Sequence, residues 1–475
     1  MVPKWQNATI DMLPEDTLLE VFDFYRLDAV KQSPRRPWKW HRLAHVCRKW
    51  RHVISMSPRR LDLRIFCKRY GAPITSTLAS WPTLPLVVVY SCVTRASRKS
   101  PAKHMPRHVL IALRHPDRLC EIDLNVTSLM ASLMVETIQK PCKILERIWI
   151  TVRDTTGSPL LVHGAFLGGS APHLRQIKLD GIAFPFPEIR RVLLSTSNLV
   201  ELHLPTTPND VYFSPDDLVT VLSTLVLLKR LTVGFLSPAS SPPPSMTHPP
   251  PRRATLPSLT ELNFHGTSEY LEELVARIDS PALFDITVQL FNQIFFEIPQ
   301  FCQFIRHPNA LGSLDQVSIT HSARVVDIIL SQQGESLNQC RFRTSCRRLD
   351  WQLSFLTQIL SELSHLLSSI HFFIVYPGTL PALEDMDSTQ WLELFRLFTH
   401  VKEVFHYNSG LLPSIMQALG AEDMSTEILP ELTSLKVNTW SLSKSDSESV
   451  EIAAKQFVAR RMSSSGRTVK LIGLR

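Results

Sequence analysis

"LRQIKL" at 174–179, "LVELHL" at 199–204, "LKRLTV" at 228–233 and "LTELNF" at 259–264 are four copies of one hexad. Leucine opens each copy, and the fourth and sixth positions are apolar. Those two positions are two residues apart, so on an extended chain they point to the same side. The third and fifth positions, mostly polar, point to the other. The pattern starts earlier, as "LCEIDL" at 119 and "LERIWI" at 145. It continues as "LFDITV" at 283, "LDQVSI" at 314, "LNQCRF" at 337, "LSSIHF" at 367, "VKEVFH" at 401 and "LTSLKV" at 432. A repeat at this near-even period is the signature of stacked supersecondary units.

Between the hexads lie stretches with helical apolar spacing. They are 187–195, 215–225, 269–278, 322–333, 350–363 and 389–398. Each reads as an amphipathic helix. Strand and helix in alternation at this period predict an α/β solenoid, with parallel strands side by side and helices covering one face. "ESVEIAAKQFVARRM" (448–462) followed by "TVKLIGL" (468–474) reads as a last helix and a closing strand. The array resembles a degenerate leucine-rich repeat horseshoe over 110–475. The Asn that usually follows the hexad is mostly missing; Pro205 and Thr206 follow Leu204. A doubly wound sheet would need a Gly-rich first turn, and none is visible.

The composition fits this reading. Of 475 residues, 44% are hydrophobic and 20% charged, as in folded proteins. Glycine is scarce at 15 and proline abundant at 34, the reverse of what phosphate-binding α/β enzymes need. Eight cysteines contain no C-x-x-C, which points to a reducing compartment, cytoplasmic or nuclear. No secretory leader or membrane span is expected, because the apolar runs are too short.

Charge is uneven. Residues 1–120 carry 22 Lys/Arg against 8 Asp/Glu, a net of +14, while the remainder nets −6. The basic end calls for an acidic partner, protein or nucleic acid, or for solvation.

That basic end contains "LPEDTLLEVFDFY" (13–25), which reads as a helix opened by Pro14, Glu15 and Asp16, with Leu18, Leu19, Val21, Phe22 and Tyr25 as its apolar surface. "KWHRLAHVCRKWRHVIS" (39–55) reads as a second helix, with Trp40, Leu43, Val46, Cys47, Trp50 and Val53 on one side and Arg42, Arg48, Lys49 and Arg51 on the other. Leu13-Pro14, Glu20-Val21-Phe22 and Val46-Cys47-Arg48-x-Trp50, in that order, resemble an F-box over residues 11–58. The following "SPRRLDLRI" and "WPTLPLVV" resemble the linker of F-box families from mushroom-forming fungi. The stretch between the two motifs, 28–40, is longer and more basic than in compact F-boxes.

The resemblance implies three parts: an F-box module (1–60), a linker and cap (61–109), and the repeat array (110–475). It implies docking on the acidic Skp-family adaptor and, through it, on a cullin. Leu13, Pro14, Leu18, Val21, Phe22, Leu43, Val46, Cys47 and Trp50 would serve the adaptor contact. The chain would then be the substrate-recognition subunit of an SCF-type cullin–RING E3 ubiquitin ligase in ubiquitin-dependent protein degradation, and would catalyse nothing itself. The alternatives are that these helices only cap the array, or that the array is a scaffold binding a protein partner without any link to ubiquitin. Client protein would be held by outward strand positions: Arg147, Trp149, Gln176, Lys178, Glu201, His203, Arg230, Thr232, Glu261 and Asn263. Trp149 reads equally as a binding anchor or as a side chain covered by the preceding loop. Lys178 and Arg230 leave recognition of a phosphorylated client open.

Enzyme chemistry has no motif behind it: there is no HExxH, G-x-S-x-G, Walker loop or G-x-G-x-x-G. No cofactor or metal is expected. His41/His45 and His104/His108 share helical spacing without a third ligand, and Cys340/Cys346 are badly spaced for zinc, with Cys340 expected in the core. "RASRKSPAKHMPRH" (95–108) is basic but lacks the aromatics that stack bases, so nucleic acid is not the expected partner. "SPASSPPPSMTHPPPRR" (237–253) reads as an extended insertion with Ser237 and Ser241 as modifiable serines.

Overall fold

The computed structural model describes residues 12–32, 41–57, 60–67, 74–92, 107–153, 159–208, 211, 213–236, 253–291, 297–306, 314–321, 325–334, 339–345, 349–376, 388–406, 412–420, 428–438 and 444–474. The Pro-rich insertion, the 33–40 stretch, most of the 95–108 run, His104 and Cys346 lie outside them. The chain forms two compact units, residues 1–155 with 164–174, and residues 156–163 with 175–475.

The first unit opens with helices α1 (Glu15–Gln32), α2 (His41–Ala44) and α3 (Arg48–Met56). It continues with β1 (Ile65–Cys67), α4 (Ile74–Ser80), β2 (Leu86–Ser91), α5 (Arg107–Leu113), β3 (Leu119–Val126), α6 (Ser128–Thr137) and β4 (Arg147–Val152). The four strands pair in parallel in chain order. The ladder thus begins two strands before the first hexad, inside the segment expected to be linker and cap. The single helix expected over 39–55 is two helices. The chain leaves the helix at 45–47 because Cys47 is extended there and its Sγ accepts from Trp50 N at 3.4 Å, so Cys47 starts a new helix instead of continuing the old one.

The second unit begins with β5 (Leu160–Leu161), β6 (Gln176–Asp180), β7 (Ile182–Ala183), α7 (Phe186–Ser195), β8 (Glu201–Thr207), α8 (Pro215–Leu222) and β9 (Arg230–Phe235). Then come β10 (Ala254–Thr255), β11 (Glu261–Gly266), α9 (Ser268–Ala276), β12 (Ile278–Asp279), β13 (Asp285–Leu290) and α10 (Pro299–Arg306). The rest are β14 (Gln316–His321), β15 (Val325–Ser331), β16 (Gln339–Ser345), α11 (Leu349–Glu362), α12 (Ser364–Leu367), β17 (Phe372–Tyr376), α13 (Ser388–Arg396), β18 (Glu403–His406), α14 (Leu412–Gly420), β19 (Ser434–Asn438), α15 (Lys444–Ser465) and β20 (Lys470–Leu474). Its main sheet is open and mostly parallel, in the order β6-β8-β9-β11-β13-β16-β15-β14-β17-β18-β19-β20. Both units are therefore α/β.

The hexad explains the packing. Ile177, Leu202, Leu231, Leu262, Ile286 and Cys340 hold the fourth position and are all buried. The third positions stay in register from strand to strand, Glu201 to Arg230 to Glu261 to Asp285 to Gln339. Helix starts follow local chemistry. Ser214 Oγ accepts from Asp217 N at 3.1 Å, with Pro215 in the first turn of α8. The Glu272 carboxylate accepts from Gln300 N and Phe301 N, both at 2.8 Å, and so closes the start of α10. Where the hexad's usual Asn is replaced by Pro205-Thr206, the β8–β9 register shifts between Leu204 and Thr207. Gly234 faces this bulge, and a Cβ there would lie 2.2 Å from Pro205 O.

Two expectations fail in the second unit. Residues 322–333 were expected to be helical, but Val325–Ser331 is β15, antiparallel to both β14 and β16. Val325, Val326, Ile328 and Ile329 are β-branched, and Val326, Ile328 and Leu330 are buried at a period of two. The meander also reverses the local order, so the hexad at 337 follows that at 283 and the hexad at 314 comes later. The hexad read at 367 is displaced by three residues. Gln316 pairs with Phe372, so Phe373 and Val375 point inward and Phe372 and Ile374 outward.

Candidate functional site

In the first unit, α1 buries Leu18, Leu19 and Phe22. Phe22 meets the Trp50 ring edge-on with centroids 4.8 Å apart. Leu43 and Trp50 are buried with them. The Trp50 Nε1 is also buried and has no hydrogen-bond partner among the described residues. Lys49 Nζ donates to Leu13 O at 2.7 Å and ties the start of α1 to α3. Cys47 and Leu13 are half-buried and Pro14 is exposed.

The other side of α1 is apolar yet open to solvent. Val21, Phe24 and Tyr25, at i, i+3 and i+4, are 42%, 73% and 41% exposed. Met12 and, in the turn between α2 and α3, Val46 are exposed as well. Arg42, His45, Arg48, Arg51 and His52 are exposed basic or imidazole neighbours in sequence. Of the expected adaptor residues, Leu18, Phe22, Leu43 and Trp50 thus form the module's own core, and Pro14, Val21 and Val46 reach solvent. Sequence reasoning missed Phe24. Its signal is an aromatic on the helix side otherwise occupied by Glu20.

The strand face of the first unit holds an ion network. Arg64 bridges Asp62, Glu121 and Glu146, and Arg147 also reaches Glu121. Those partners hold the Arg64 guanidinium charged more firmly than usual, despite its burial. Trp149 is half-buried, with the Arg147 guanidinium 4.9 Å from its ring centroid and its Nε1 buried and unpartnered among the described residues. The indole is thus covered at its polar edge, and Arg147 lies over its ring. Beneath this face the Cys120 thiol, pushed up to about 12 by burial, donates to Leu86 O at 3.2 Å, so it is inert packing.

In the second unit, Gln176, Lys178, Glu201, His203, Arg230, Glu261 and Asn263 are all half-buried on the outward side of consecutive strands. Arg230 donates to Glu201 at 2.6 Å, so its charge is already engaged. His203 is held below the usual imidazole range by burial and by the neighbouring Lys178. Burial lifts Glu261; Arg230 opposes that rise and Asp285 adds to it. Asp285, also lifted by burial, accepts from Gln339 Nε2 at 3.2 Å. Further along, Asp327 is 7% exposed and accepts from both Arg341 and Arg343. The sequence reading missed this trio because it placed Asp327 in a helix.

Cys340 is buried, and His41 and His45 are separated by the end of α2. Among the described residues no group of three His, Cys, Asp or Glu is placed to hold a metal, and no helix is long and apolar enough to cross a membrane. No family model matches the chain, and no curated protein matches it either.

Proposed function

We propose that this chain is a non-catalytic substrate receptor of an SCF-type cullin–RING ubiquitin ligase. In this reading residues 11–58 are an F-box that docks on a Skp-family adaptor. The strands and helices that follow are a degenerate leucine-rich repeat horseshoe that holds a client protein on its strand face.

One observation carries the reading. A short helical module already has its own core in Leu18, Phe22, Leu43 and Trp50, yet still presents Val21, Phe24 and Tyr25 to water on one stripe. A cap on a repeat array would turn such a stripe inward. The excess of +14 in residues 1–120 fits the acidic adaptor that the motif resemblance implies.

The test is co-expression of the full chain with a Skp-family adaptor, followed by co-purification. The wild type is expected to form an equimolar complex. Val21→Glu/Phe24→Glu changes only exposed positions, and it is expected to weaken the complex by at least about tenfold. Leu13→Ala/Pro14→Ala is expected to weaken it too. Absence of any complex with the wild type would remove the ubiquitin-ligase reading and leave a protein-binding scaffold.

A further inference from the structure

The outward strand positions of the second unit change character along the sheet. From β6 to β16 the first two outward rows are Gln176, Glu201, Arg230, Glu261, Asp285, Gln339 and Lys178, His203, Thr232, Asn263, Thr287, Arg341. None is apolar. In β17 all three outward residues are apolar or aromatic: Phe372, Ile374 and Tyr376. Phe405 pairs beside Ile374, and Ile472 lies one strand beyond Lys436 in the same row. Tyr376 is 40% exposed, Phe372, Phe405 and Ile472 are half-buried, and Ile374 between them is buried.

From this we infer that the β17–β20 strand face binds a short apolar segment of a partner protein that carries a carboxylate. The inference rests on the client-receptor reading and names its ligand class. Size selects a segment. Four strands at about 4.8 Å spacing span about 15 Å, the reach of roughly five extended residues. A patch about 15 Å on a side covers only about 200 Å², well short of the about 800 Å² that each partner of a stable protein pair buries, so a second copy of this chain is not the occupant.

Charge selects the sign. Lys436 Nζ lies 4.1 Å from the Phe405 ring centroid and 2.8 Å from Glu403 Oε2, which holds an ammonium at the edge of the apolar surface. Lys470, exposed, adds a second cation two positions along the Glu403 row. Among the described residues of these strands, two ammonium groups stand against one carboxylate and leave a net positive edge beside the apolar side chains. An aromatic or aliphatic side chain would lie on Phe372 and Phe405, with its carboxylate toward Lys470.

The experiment is selection of a phage library of random peptides on the immobilised full chain, with the recovered peptides titrated by fluorescence anisotropy. Peptides with two or more large apolar residues and a neighbouring Asp or Glu are expected. Phe405→Ser and Lys470→Glu are each expected to weaken them by about tenfold, while His203→Ala and Asn263→Ala leave them unchanged. Both Phe405 and Lys470 reach solvent, and equal thermal midpoints check that the variants fold. Three results would overturn the inference: no enrichment, basic peptides, or binding that follows His203 and Asn263 instead. So would a concentration-dependent dimer in sedimentation that Phe405→Ser abolishes. No adaptor enters this assay, so loss of peptide binding and loss of adaptor binding are separate outcomes.

Discussion

Two stretches of one sheet solve the same problem differently. In β6, β8, β9, β11, β13 and β16 the first two outward rows are polar and several side chains answer one another, Glu201 with Arg230 and Asp285 with Gln339, while in β15 Asp327 answers Arg341 and Arg343 beside the apolar Ile329. From β17 to β20 apolar side chains, Phe372, Ile374, Tyr376, Phe405 and Ile472, are interleaved with polar ones, Glu403, Ser434, Lys436 and Lys470, and all the apolar ones but Ile374 are partly exposed. The inward side is buried in both, mostly aliphatic with Phe264, Phe342 and Phe373 among it, and His406 is buried there on β18. The hexad therefore constrains only the core. The outward positions are free to vary, and their chemistry separates a self-satisfied surface from one with unspent apolar area.

The largest expected effects fall where the charged stretch is locked into the fold. Gly234→Ala would place a Cβ against the Pro205 carbonyl, a backbone atom that cannot turn away. A loss of about 2–3 kcal/mol is expected in urea unfolding. Asp327→Asn removes the carboxylate charge that two guanidinium groups share at a nearly buried site, and a loss of about 2 kcal/mol is expected, reduced from a fully buried case because both arginines touch solvent. If Asp327→Asn proved neutral, the paired charges of the polar stretch would contribute little to its stability. In contrast Phe405→Ser, on a half-buried side chain, is expected to cost under about 1 kcal/mol while weakening peptide binding about tenfold.

How much of this was legible differs by element. The hexads were legible because leucine at the first position and apolar residues at the fourth and sixth favour an extended reading, and the helix at 215–225 was legible from its apolar spacing. The meander was not. "VVDIILS" satisfies both a helical and an alternating pattern, and only the partners of Asp327, sixteen residues away at Arg343 and fourteen at Arg341, decide between them. The frame at 367 failed for a related reason. "LLSSIHFFIV" contains two overlapping hexads, and the choice is made by the backbone, where His371 N and Phe372 N both donate to Asp315 O. That slip by an odd number of residues exchanges the two faces, which is why the apolar outward patch stayed hidden. For α1, the sequence marks which residues are apolar but not which of them the neighbouring Trp50 will cover.

Glu201→Gln is a milder test. The Arg230–Glu201 pair is partly exposed, with 40% and 19% of the side chains accessible, so a change of about 0.5–1 kcal/mol is expected, shrinking further in 0.5 M salt, about the same order as any screened surface pair. A loss several times larger would mean that the strand-face charges steer the register and do more than decorate it.

The smallest effect, and the most specific to the polar stretch, is its response to pH. His203 and His265 are both held below the usual imidazole range, chiefly by burial. The fold therefore favours their neutral forms. Stability from this source is complete above the unfolded value near about 6.5 and is lost as pH falls through it toward the folded values. Glu261 and Asp285 act in the opposite sense. Burial raises both, so their contribution is greatest at low pH and is lost as pH rises through their folded values. The two pairs therefore respond to pH with opposite signs. Replacing both histidines, as His203→Gln/His265→Gln, removes only the acid-labile part. The urea midpoint of that variant is expected to rise on acidification where the wild type stays flat or falls. Identical pH profiles for the two proteins would mean that these imidazoles are as well solvated in the fold as out of it, and that the polar stretch is a looser surface than its paired charges imply.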